Sequence, residues 1–178
     1  MRDRLGRRAF ARLAAGAAGA AALIPGLAAT ASAQQPVPTA AAKQTVTQAA
    51  ADALLDAAEA KARELGVNVA IAIVDEGGLL KAFRRMDNQN SAGTVDAVQA
   101  KAYTAAAFRA PTHVFAERNA DPARLASFAS LPRVTLLGGG YPIQAGDAVV
   151  GGIGVGGGSP QQDQQIAEAA LAALAGSG

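Results

Sequence analysis

Apolar residues recur at helical spacing through residues 43–65, where Val46, Ala50, Leu54, Ala57, Ala58, Ala62 and Leu65 are set among Asp52, Asp56, Glu59, Lys61, Arg63 and Glu64. The pattern predicts an amphipathic helix stopped by Gly66. The run over 67–74, Val-Asn-Val-Ala-Ile-Ala-Ile-Val, is too short and too β-branched for a second helix. With Asp75-Glu76-Gly77-Gly78 and residues 79–86 after it, it predicts a β-hairpin turned on glycines. Residues 92–108 carry a second helical pattern with Val95, Val98, Tyr103 and Ala106 among its larger members. Pro111-Thr112 ends that helix and opens a short third one with Thr112 as its N-cap. Asp121-Pro122 reads as a loop and 133–137 as a short strand, and 141–144 with 148–155 form a second hairpin around Gly146-Asp147. The last helix runs to about Ala175, with Ser159 as N-cap, Pro160 at the first helical position and Gln162 and Asp163 in the first turn. Two hairpins separated by helices lack the βαβ rhythm of a nucleotide-binding parallel sheet. The expected class is α+β, an antiparallel sheet covered by helices.

Charge divides the 178 residues into an address and a body. Residues 1–12 are arginine-rich, 13–31 are uncharged and rich in Ala and Gly, and Ala31-Ser32-Ala33 offers small residues to a signal peptidase. That layout predicts a secretory signal over 1–33, a flexible lead-in over 34–42 with Pro36 and Pro38, and a single domain over 43–178. Arg7-Arg8-Ala9-Phe10 resembles the twin-arginine export motif, so the expected destination is the periplasm or the outside of a bacterial cell, reached by a folded protein. The chain as a whole has 16 basic and 14 acidic residues, but Arg2, Arg4, Arg7, Arg8 and Arg12 all fall in the signal with one acid, Asp3. Removing 1–33 leaves 11 basic and 13 acidic residues, a net charge of −2. No basic surface for nucleic acid is supported. The absence of Cys excludes disulfides, thiolate nucleophiles and Cys-bound metal, and one His leaves at most one imidazole for any site.

The candidate chemistry is sparse. Glycines cluster at 138–140 and at 151, 152, 154 and 156–158, the last group leading into Ser159-Pro160 and a helix start. No Walker lysine follows, so the loop reads either as a cradle for a small anion or carboxylate, with Gly157 and Gly158 at its centre, or as close packing of a hairpin against a helix start. His113 is the only imidazole open to a metal or haem iron, and equally an ordinary half-buried side chain. Tyr103 and Tyr141 could offer phenolate oxygen or simply pack. Lys101 lies in the second helix. Arg84 and Arg85 could meet ligand carboxylates, or Arg85 could pair with Asp87 at the surface. Asp75, Glu76 and Asp87 are possible acid/base groups, but all sit at turns where carboxylates commonly cap amides. No Ser/His/Asp arrangement can be read from Ser91, His113 and the acids.

Val74-Asp75-Glu76-Gly77-Gly78, Arg85-Met86-Asp87, the run from Lys101 to Phe108, Pro111-Thr112, Gly138-Gly139-Gly140-Tyr141-Pro142-Ile143 and the run from Val150 to Pro160 stand in the order and spacing of the GlcG/HbpS family. The chain resembles that family over about residues 45 to 175, and also the C-terminal domain of PduO-type cobalamin adenosyltransferases. The resemblance implies a profilin-like α-β-α domain with a central five-stranded antiparallel sheet. It further implies an exported haem-binding or haem-sensing protein without catalytic turnover, a homo-oligomer, and a membrane sensor protein as partner. For such a cofactor the candidates among this chain's own residues are His113, Thr112, Tyr103, Lys101, Arg85, Gly157 and Gly158, with His113 as the iron ligand. Two other readings stand beside it: a small-carboxylate or metabolite-binding domain or enzyme of the glycolate-operon type, and a ligand-free interaction module. The chain departs from the family in carrying Gly156 where Ser is usual, and in having no His in its first helix.

Overall fold

The computed structural model describes residues 40–175. The signal expected over 1–33 and most of the lead-in lie outside the described residues. The elements run α1 (Gln48–Glu64), β1 (Ala70–Asp75), β2 (Leu80–Arg85), α2 (Ala92–Phe108), α3 (Thr112–Arg118), α4 (Pro122–Ala129), β3 (Gly140–Ala145), β4 (Ala148–Gly156) and α5 (Pro160–Ala175). The strands form one antiparallel sheet in the order β2-β1-β4-β3. The α+β class and the α-β-α layering are as expected, but the sheet has four strands among the described residues, not five.

The missing strand is 133–137. Arg133 sits at φ 67, and the amides that a ladder would need turn elsewhere: Thr135 N–H donates to Thr104 Oγ1 at 3.0 Å and Leu137 N–H to Thr135 Oγ1 at 3.2 Å. Side chains satisfy this backbone, so it crosses the surface of α2 without a partner strand. Three further expectations are corrected at element ends. Residues 43–46 are extended, not helical: Val46 N–H donates to Val150 O at 2.9 Å, and α1 starts only after Thr47, whose hydroxyl accepts from Ala50 N–H at 3.1 Å. Val46 is buried from an extended segment, which imitates helical spacing by chance of position. Asp121-Pro122 opens a helix: the Asp121 carboxylate caps the Ala123 and Arg124 amides and Pro122 takes the first turn. Thr112 is not the cap of α3; Pro111 holds that place, and the Thr112 hydroxyl accepts from Gly140 N–H at 3.1 Å.

The two sheet faces are built from opposite materials. Along β1 and β4 the alternation puts Ile71, Ile73, Ile153 and Val155 on one side, where they pack with Leu54, Leu55 and Ala58 of α1 and Ile166, Ala167 and Ala170 of α5. Each of the isoleucine, leucine and valine side chains contributes about 1.5–3 kcal/mol by leaving water. The other side shows Ala70, Ala72 and Val74 opposite Gly156, Gly154 and Gly152, and α2 lies on it through Val98, Ala102 and Ala106. A Cβ on Gly154 would stand 2.1 Å from Val98 O, and one on Gly152 2.2 Å from Ala102 O. Glycine is there because the helix backbone occupies the space of a side chain.

Candidate functional site

Where α2, α3, β3, β4 and the start of α5 meet, the structure buries an ion pair. Lys101, 5% exposed, donates from Nζ to Asp163 Oδ2 at 2.8 Å and to Val155 O at 2.7 Å. Asp163, 4% exposed, accepts on its other oxygen from Gly158 N–H at 3.0 Å. Burial pushes the Asp163 carboxyl above its ordinary value of 3.8, against the downward pull of Lys101 and of the Gly158 amide. Gly139, at φ 103, admits this pair: a Cβ there would lie 2.8 Å from Asp163 Cβ and 3.1 Å from Lys101 Nζ. The pair takes up part of the glycine loop. Gly158 N–H is taken by Asp163, while Ser159 N–H donates to Gln162 Oε1 and Gln162 N–H to Ser159 Oγ, a reciprocal capping box. Gly157, at φ 130, is packed where a Cβ would meet Asn68 O at 2.4 Å. The anion at this helix start is the protein's own carboxylate.

His113 stands at the margin of that junction, one residue after the buried Thr112. Its Nδ1 is buried with no hydrogen-bond partner, and its ring lies 5.7 Å from that of Tyr141 in β3. Tyr141 in turn donates its hydroxyl to Glu168 Oε1 of α5 at 2.6 Å. Burial, then that carboxylate, hold the phenol well above its ordinary value of 10.0, so Tyr141 stays protonated. The same two elements, β3 and α5, also carry an apolar strip. Pro142 follows it in β3 and Leu171 comes about one turn after Glu168 in α5, both lining a cleft of about 350 Å³ with Gln144, Leu174 and Ala175. A second cleft, of about 310 Å³, shares Gln144 and Leu174 and continues the strip past Ile143, Val150, Val46 and Ala50.

The other sequence candidates lie apart. Tyr103 is covered by Arg133, whose guanidinium carbon stands 4.2 Å from the ring centroid and which also donates to Gly78 O. Arg85 donates to Gln89 O at 2.7 Å, not to Asp87. Arg84 belongs to α1: it pairs with Asp56 at 2.7 Å and Glu59 at 3.0 Å, and Asp56 first of all raises its pKa. Lys101, Thr112, His113 and Gly158 are thus gathered around one junction, while Tyr103 and Arg85 are elsewhere. Sequence reasoning missed Glu168, Pro142, Leu171 and Leu174. The i, i+3 leucines and a proline in an edge strand were the available signal.

A family model described as haem degrading protein HbpS-like matches residues 46–172. The chain belongs to the HbpS-like family. GlcG of Escherichia coli is 36% identical over 105 residues, 59% of this chain and 76% of that protein. A double mutant of Streptomyces reticuli HbpS superimposes with a TM-score of 0.70 at 33% identity, covering 80% of this chain and 98% of the other. The PduOC–haem complex superimposes with a TM-score of 0.67 at 30% identity, covering 72% and 94%.

Against this HbpS-like background the residues present can be tested for iron ligation. Lys101 Nζ is engaged in the ion pair, Thr112 Oγ1 with Gly140, and Tyr141 is held as a phenol. His113 remains, its Nδ1 buried and without a hydrogen-bond partner. Of these residues, His113 is the one that would hold a haem iron, and the imidazole would be its ligand.

Proposed function

We propose that this HbpS-like protein binds haem through His113, with Pro142, Leu171 and Leu174 supplying apolar surface, after export directed by residues 1–33. Haem supplies a visible chromophore and an iron centre; the chain supplies the imidazole and a water-excluding wall. The reading rests on His113, the single imidazole of the sequence, whose ring lies 5.7 Å from that of Tyr141, in a chain 30% identical to the protein of the PduOC–haem complex; the apolar cleft lies on β3 and α5, the elements that carry Tyr141 and its partner Glu168. The walls given by one subunit are shallow, so the binding form is a homo-oligomer in which neighbouring copies complete the site. In this reading haem is held rather than consumed. A membrane sensor that distinguishes haem-loaded from haem-free protein completes the proposal.

Hemin titration of the purified protein tests it. A Soret band displaced from that of free hemin is expected, with His113→Ala removing the displacement and Leu171→Glu weakening binding about tenfold. No displacement, or an unchanged one in His113→Ala, would overturn the assignment. Bleaching of bound haem under ascorbate or peroxide would overturn the absence of turnover and favour haem degradation. Cell fractionation tests export: Arg7→Lys with Arg8→Lys should leave the protein in the cytoplasm.

A further inference from the structure

At the opposite end of α2 from its N-cap lies a cleft of about 380 Å³ that no part of the haem reading uses. It is lined by Lys43 and Gln44 of the extended lead, Glu76 of the β1–β2 turn, Ala106, Ala107 and Arg109 of the helix end, and Ala148 and Val149 at the start of β4. Its three charged side chains are unmatched. None of the ion pairs among the described residues includes Lys43, Glu76 or Arg109, and Glu76 Oε2 is buried with no hydrogen-bond partner. Arg109 also ends the helix at φ 53 and ψ 37, a left-handed conformation that glycine usually takes.

The cleft offers two kinds of polar group. Acceptors are the Glu76 carboxylate and the carbonyls of the last α2 turn, which have no partner inside the helix and carry its negative end. Donors are the Arg109 guanidinium, whose planar fork suits a carboxylate, and the Lys43 ammonium. An anion alone would satisfy the donors and be repelled by Glu76 and the helix end. A cation alone would do the reverse. We propose that this cleft binds a small zwitterion of the amino-acid type, with its ammonium toward Glu76 and the α2 carbonyls and its carboxylate toward Arg109 and Lys43. Ala106, Ala107, Ala148 and Val149 leave an apolar wall for a small side chain.

Isothermal titration of the full-length protein with glycine, L-alanine, L-serine and L-valine tests this. At least one should bind saturably, and the matching α-hydroxy acid and des-amino acid should bind about tenfold more weakly or worse, because each leaves Glu76 without its charged donor. Arg109→Met and Glu76→Ala should each remove the binding while circular dichroism and the ligand-free Tm stay unchanged. Binding by none of the four, equal binding of the des-amino acid, or retained binding in Arg109→Met would overturn the proposal. Because the cleft is separate from His113, hemin titration of Arg109→Met should match the unaltered protein whichever way the amino-acid result falls.

Discussion

The two faces of the sheet solve the same packing problem in opposite ways. Toward α1 and α5, β1 and β4 present branched aliphatic side chains that interdigitate with helix side chains. Toward α2 they present Ala and Gly, and the helix backbone itself lies against the strand. The first face is stabilised by volume, the second by close approach. Their charged groups follow the same division. On the α1 side Arg84, Asp56 and Glu59 meet near water, whereas on the α2 side Lys101 and Asp163 meet in the interior. An interior pair needs further hydrogen bonds on both partners, and this one has them, Lys101 to Val155 O and Asp163 from Gly158 N–H.

The sharpest way to break the comparison is Lys101→Met, which strands a buried carboxylate and should cost about 3–5 kcal/mol in urea denaturation. Its pH dependence carries a sign. Asp163 already has a folded-state pKa above its ordinary 3.8, and losing Lys101 removes a downward pull, so the folded variant binds a proton before the unfolded chain does. Its stability should therefore rise as pH falls from neutral toward the ordinary carboxylate range. Next in size, Ile153→Ala should cost about 2–5 kcal/mol by opening a cavity on the α1/α5 face. One residue along the same strand the sense reverses. Gly154→Ala adds a methyl group where Val98 O already stands and should cost about 1–3 kcal/mol by forcing α2 outward, measured by the same denaturation. Smallest is Arg84→Met, expected below about 1 kcal/mol because its partners are partly solvated. Glu59 is held below its ordinary 4.5, by Arg63 first and then by Arg84. The stability it adds is present above that value and lost as pH falls through its folded pKa, so the effect of Arg84→Met should shrink on acidification through that range.

Local signals made much of this legible. Residues 92–108 are helical end to end, both hairpins turn where the glycines place them, and Ser159 and Pro160 start α5 as capping chemistry requires. The misses came where distant groups decide. Val46 is drawn into the core by Val150, and 133–137 lost its strand character to Thr104 on α2. Lys101 and Asp163 are 62 residues apart, and nothing around either one announces the other. The glycines at 152, 154 and 156 carried a signal that was available: a period of two along a strand indicates one bare face, where a phosphate loop has no such period. Of the candidate site, His113 could be named from its uniqueness alone. Its contact with Tyr141, and that residue's bond to Glu168, required the packing of α3 and α5 beside β3.

The bare face also bears on how the chain reaches its native state. The seat for α2 is made jointly by β1 and β4, strands that are far apart in the chain, so the helix cannot dock until those two have paired. A slip of β4 by one residue would turn Ile153 and Val155 toward the helix and the glycines toward the leucines of α1. Val98 O and Ala102 O would then collide with branched side chains, and α2 could not close. The close seat of α2 is thus compatible only with a correctly registered pair of strands.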